Sequence, residues 1–123
     1  MSCCDGVSGI YGGQWRGPVF VLTHRPPHAA ADESVTFLST PLPDAVRTAL
    51  EAAGGSNVVI FGASLARQCL QARLLDEIVV HLAPVLLGDG VRLYDSTGTD
   101  PVMLTRTALA ATGQLTDIRF RVQ

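Results

Sequence analysis

The sequence predicts an α/β protein with a mostly parallel sheet flanked by helices and closed by an antiparallel hairpin. Three observations predict it. Continuous apolar runs at residues 18–23, 57–62 and 77–83 have the pattern of strands covered on both faces. Stripes of helical period lie between them, so the order strand, helix, strand, helix, strand from Val35 to Ala83 calls for right-handed crossover connections. In the last eight residues of strand character, Ile118, Phe120 and Val122 alternate with Asp117, Arg119 and Arg121, the mark of a strand with one wet face.

Each element follows from its residues. Residues 1–17 hold five of the twelve glycines and no periodicity, which reads as a loose arm ahead of a domain at 18–123. PVFVLT (18–23) is a short β-forming run that the prolines of HRPPH close. VTFLS (35–39) is a second strand. From Pro43 to Ala53, Val46, Ala49, Leu50 and Ala53 form a helical stripe, with Pro43 in the first turn and Gly54 at the stop. After NVVIFG, a helix over residues 64–73 places Leu65, Ala66, Cys69 and Leu70 on one face and turns Arg67, Gln68 and Gln71 away. EIVVHLA (77–83) is the next strand. VMLTRTALA and LTDIRFRV then flank a turn at Thr112 and Gly113, with residues 95–101 as a polar loop.

Composition excludes several functions. A chain of 123 residues is long enough for one domain core, and 47% hydrophobic with 16% charged residues is too apolar for a disordered tail. A net charge of −2 offers little to a phosphate backbone, which argues against nucleic acid as a partner. No apolar run reaches the length of a membrane span and the first residues lack a signal-peptide pattern, so a cytoplasmic protein is expected. Three cysteines, two of them adjacent at Cys3 and Cys4, match neither a disulfide framework nor a CxxC pair and read as free thiols. All nine basic residues are arginine, which removes Schiff-base lysines and the Walker lysine.

The chemistry-bearing positions lie at strand ends. Gly62, Ala63 and Ser64 form a strand-to-helix turn in which a glycine admits close approach and the helix N-terminus offers unpaired N–H groups to a phosphate. The same residues also fit a tight turn capped by Ser64. Thr23, His24 and Arg25 bring a hydroxyl, an imidazole and a planar guanidinium together, suited to a terminal phosphate or to an exposed polar loop. Gly88, Asp89 and Gly90 with Arg92 form a third glycine loop. His24 and His28 stand four apart, but Pro26 and Pro27 forbid the helix that would make them metal ligands, and no metal is expected. Asp76 and Glu77 read as a solvated turn and His81 as a core or interface histidine. No catalytic nucleophile, base and orienting group can be assembled.

Together, PVFVLTHRPP, the block NVVIFGASLARQCLQARLLDEIVVHLAPVLLGDGVRLYD and LTDIRFRV resemble the reductase domain of bacterial bifunctional riboflavin-biosynthesis deaminase-reductases, over residues 18–122. The resemblance implies a dihydrofolate-reductase-like fold, NADPH as cofactor and a pterin- or pyrimidine-like small molecule as substrate. It implies that Thr23, His24 and Arg25 face the adenosine 2′-phosphate and that Gly62, Ala63, Ser64 and Leu65 take the pyrophosphate. The family's first strand, following helix and Gly-Arg segment have no counterpart before residue 18, so an N-terminally truncated domain is expected. Ala63 stands where the family has a second glycine and Asp117 where histidine is common. Hydride transfer needs nicotinamide and substrate in near contact, and the groups that hold them belong to that region. A non-catalytic dinucleotide-binding or dimerisation module derived from such a reductase is therefore the alternative. A shortened sheet needs its apolar surface covered, and the expected solution is a homodimer with His81 near the contact.

Overall fold

Strands exist only where a neighbouring strand satisfies their backbone groups, and this requirement sorts the apolar runs of the sequence. The computed structural model describes residues 14–25, 35–95 and 100–123. The chain divides into two compact units, Met1–Val58 and Val59–Gln123.

In the first unit, β1 (Val19–Leu22) pairs in parallel with β2 (Val35–Leu38), with Val19 opposite Val35 and Leu22 opposite Leu38. The Thr23 N–H carries the ladder one step further by donating to the Leu38 carbonyl at 2.8 Å. The helix α1 (Leu42–Ala53) follows, with Pro43 in its first turn, where a missing N–H costs nothing. Asp44 complements the positive end of the helix and pairs with Arg47 at 2.6 Å. Gly54 ends the helix in the left-handed conformation at φ +56°. Ala45 is the residue α1 buries, whereas Leu50, placed by its spacing on the apolar stripe, is 53% exposed.

In the second unit, α2 (Ala63–Gln71) buries Cys69 and Leu70, and those two side chains are its core. The stripe read from the sequence is thus oriented correctly. The helix stops two residues before the expected Arg73 because Arg73 itself takes φ +56°. The Arg73 N–H donates to Leu70 O at 3.1 Å and the Leu74 N–H to Cys69 O at 2.8 Å, the paired bonds of a Schellman cap with arginine at the position glycine usually fills.

A three-stranded sheet completes this unit in the order β3 (Glu77–Leu82), β5 (Leu115–Val122), β4 (Leu104–Thr112). The hairpin β4–β5 turns through Gly113 and Gln114, one residue later than expected. Gly113 has φ +61°, as the first central position of a mirror-image two-residue turn requires. Register follows chemistry: Ile78 faces Phe120 and Val80 faces Ile118, while Glu77 stands opposite Arg121 and His81 opposite Asp117.

Two expectations are corrected. The fold class is α/β, but the parallel relation is found in β1–β2, whereas β3 is antiparallel to β5. An apolar run shows neither which way a strand's neighbour runs nor that both its faces are covered: Val79 and Leu82 of β3 are exposed, and β5 offers β3 a matching apolar and charged register. Residues 57–61 belong to neither sheet. Their burial alternates as a strand's would, with Val58 and Ile60 half-buried and Val59 and Phe61 exposed, but no ladder assigns them to a strand. Periodicity reports side-chain environment, and strand formation needs a backbone partner as well.

Candidate functional site

The second unit carries the junction into α2. Gly62 precedes the helix at φ +96° and ψ 128°, a conformation side-chain-bearing residues rarely adopt. A Cβ added there would meet nothing within 4 Å, so the space beside the backbone is open. The first intrahelical bond runs from the Ala66 N–H to Gly62 O at 3.0 Å. The N–H groups of Ala63, Ser64 and Leu65 therefore precede the helical ladder. No side chain caps them: the Ser64 hydroxyl instead accepts from the Gln68 side-chain amide at 3.4 Å, so the serine-cap alternative does not hold. Amide groups ahead of the ladder, a positive helix end and open space beside a glycine are an arrangement that can receive an anion.

The first unit carries Thr23, His24 and Arg25 directly after β1. The Arg25 N–H donates to the Thr23 hydroxyl at 3.2 Å, a local turn that puts His24 and Arg25 on the surface. Arg25 has no ion-pair partner among the described residues. Thr23–Arg25 lie in the first unit and Gly62–Leu65 in the second, and each half of the expected site is described within its own unit.

The remaining candidates fall as follows. Among the described residues no three His, Cys, Asp or Glu side chains gather as a metal site, and His28 lies outside those residues. Asp76 and Glu77 are exposed: the Asp76 carbonyl accepts from the Val122 N–H at 2.9 Å and the Glu77 carboxylate lies 3.8 Å from Arg119. His81 is exposed, not a core histidine, because its strand position puts it on the charged face of the sheet. Its Nδ1–H donates to Asp117 at 2.6 Å, while the Thr112 hydroxyl donates to the other Asp117 oxygen at 2.8 Å. The hydrogen bond from His81, then the one from Thr112, hold the Asp117 carboxyl below the usual aspartate range. This cross-strand network escaped sequence reading because His81 stands 36 residues from Asp117 in the chain. The alternation of β5 did show that Asp117 faces away from the apolar side. Cys69 is a free thiol at 0% exposure, its pKa raised by burial.

The sequence matches the family model described as the RibD C-terminal domain over residues 14–116, from within the segment read as an arm into β5. A protein of Shewanella sp. PV-4 named for riboflavin biosynthesis has a solved structure that superposes at a TM-score of 0.73 with 25% identity, covering 86% of this chain and 60% of that one. A pyrimidine reductase-like protein of Corynebacterium diphtheriae superposes at 0.54 with 19% identity, over 85% of this chain and 50% of that one, a likeness of fold alone. The chain thus spans 60% and 50% of the two solved proteins' lengths. No curated relative matches significantly. Among the described residues no helix is long and apolar enough to cross a membrane. The chain belongs to the RibD C-terminal domain family, and is a reductase-family α/β domain of the dihydrofolate-reductase-like class.

Proposed function

We propose that this domain binds NADPH and serves the reduction of a pterin- or pyrimidine-like small molecule in the cytoplasm. The carrying observation is the α2 junction, where Gly62 at φ +96° opens onto uncapped helix N–H groups with clear space beside it. Those residues fit a dinucleotide pyrophosphate, which needs several backbone donors, a positive field and no intruding side chain. Gly62, Ala63, Ser64 and Leu65 take that role. Thr23, His24 and Arg25 take the 2′-phosphate, for which an exposed guanidinium with no carboxylate partner among the described residues is suited. Bound there, the dinucleotide supplies a hydride. The names of the solved neighbours, riboflavin biosynthesis and pyrimidine reductase-like, support the substrate class. The test is titration of the purified chain with NADPH and NADH. NADPH should bind more tightly, and Arg25→Ala should remove about 1.5–3 kcal/mol of NADPH affinity while leaving NADH unchanged. Equal affinity for both dinucleotides removes Arg25 from the role.

The second part of the reading is a homodimer. The described residues bury only Ala45, Cys69 and Leu70, while Leu82 and Leu109 on the sheet are more than half exposed and Leu86 is fully exposed. Exposed apolar side chains in such number favour association, and a two-fold dimer covers them with the same surface twice. Sedimentation should give twice the chain mass at tens of micromolar (about the range of weak dimers), and a well-folded monomer there refutes it. The alternative, a dinucleotide-binding module without catalysis, predicts NADPH binding with no turnover of any such substrate.

A further inference from the structure

The glycine loop after β3 is the one motif of the sequence that the dinucleotide reading leaves unused, and the structure connects it to α2. The Nη2 of Arg67 donates to the carbonyl of Arg92 at 3.0 Å, across 25 residues of sequence. The Nε of the same guanidinium is buried and has no acceptor among the described residues. The sequence stripe had turned Arg67 to solvent, whereas the residue is half-buried.

The loop it holds is otherwise irregular. From Ala83 to Tyr94 there is no helix or strand, Gly88 takes φ +81°, and Val85, Leu86, Leu87 and Val91 are exposed. Its internal ties include short-range ones: Val85 N–H to Ala83 O at 2.9 Å, Gly90 N–H to the Asp89 carboxylate at 2.7 Å, and Arg92 to Asp95 at 3.9 Å. Arg67 adds a charge-assisted bond from a regular element. Arg67 is the fifth residue of α2, so its Cα lies only about 6 Å along the axis from that of Ala63 at 1.5 Å per residue. Helical side chains lean toward the N-terminus, which for Arg67 is the direction of the Gly62 turn.

We propose that Arg67 is a positioning residue: it holds the Gly88–Arg92 loop beside the amino-terminal half of α2, where the loop forms one wall of the phosphate site at Gly62–Leu65. The proposal rests on the dinucleotide reading above. Arg67 does its work through the Arg92 carbonyl and needs no contact with the ligand.

The experiment compares Arg67→Met and Arg67→Lys with the native chain by amide hydrogen exchange and by NADPH and NADH titration. Losing a hydrogen bond to a charged donor should speed exchange in residues 85–93 about tenfold or more, with the Cys69 and Leu70 amides unchanged. NADPH and NADH affinities of Arg67→Met should fall together by about tenfold, since the bond lies away from the 2′-phosphate residues. Arg67→Lys should restore part of both, because an ammonium can still donate to a carbonyl. Loop exchange unmoved by Arg67→Met overturns the proposal, as does a freed loop with unchanged dinucleotide affinity. A native chain that binds neither dinucleotide overturns the dinucleotide reading and the wall with it, an outcome visible before any variant is made.

Discussion

Replacing Gly62 separates the strain of its backbone from its role toward phosphate. Since a Cβ would meet nothing within 4 Å, Gly62→Ala introduces no clash, and its whole cost comes from holding a side-chain-bearing residue at φ +96°, ψ 128°. Such conformations cost about 1–3 kcal/mol. With urea slopes of about 1–3 kcal/mol per molar in small proteins, a loss of about 2 kcal/mol moves the unfolding midpoint down by roughly 1 M. Gly62→Glu meets the same strain but puts a carboxylate at the positive end of α2, which returns about 0.3–1 kcal/mol through the helix dipole. Toward a dinucleotide the order reverses. Alanine adds only a methyl group, while glutamate brings like charge and bulk into the phosphate position, so Gly62→Glu should abolish NADPH binding despite being the more stable of the two. Urea unfolding followed by circular dichroism, paired with NADPH titration of the folded variants, measures both. An alanine variant as stable as the native chain refutes the backbone argument, and a folded glutamate variant with native NADPH affinity refutes the phosphate turn.

Two further outcomes are expected. Arg73→Gly should stabilise the chain by about 0.5–1 kcal/mol, the left-handed penalty of about 1–2 kcal/mol less the greater freedom of unfolded glycine. Differential scanning calorimetry should then show a Tm rise of about 2–6 °C, and a Tm lowered as much as in Arg73→Ala contradicts the cap assignment. The Asp117 network predicts a pH dependence of definite sign. Because the folded carboxyl titrates below its unfolded value near 3.8, its contribution is present above that value and is lost as pH falls through the folded pKa. The stability gap between the native chain and Asp117→Asn should therefore hold above the unfolded value near 3.8 and close as pH falls below it, and a gap that stays constant on acidification rules the network out as the cause.

Local elements were legible where a pattern needs only its own residues. The stripe ending in Cys69 and Leu70 placed α2 correctly, because burial of one helix face is a property of spacing. Pro43 and Gly54 bracketed α1, and Gly113 marked the hairpin, because each answers to the torsions of a single residue. The Gly62 junction was legible for the same reason, although glycine alone does not tell an open turn from a capped one. The structure decided that when it turned Ser64 toward Gln68 and left the helix start uncapped.

What depends on a partner distant in sequence was decided only by tertiary structure. The apolar runs at 57–62 and 77–83 look alike, yet one remains outside the sheets and the other pairs with β5, since a ladder needs backbone groups from elsewhere in the chain. The direction of β3 was set by the match of Ile78 with Phe120 and Glu77 with Arg121 across 42 and 44 residues, which no local window contains. His81 met Asp117, and Arg67 met the Arg92 carbonyl, by the same kind of long-range placement. Spacing along a chain determines which face a side chain occupies, and only folding determines what stands opposite that face.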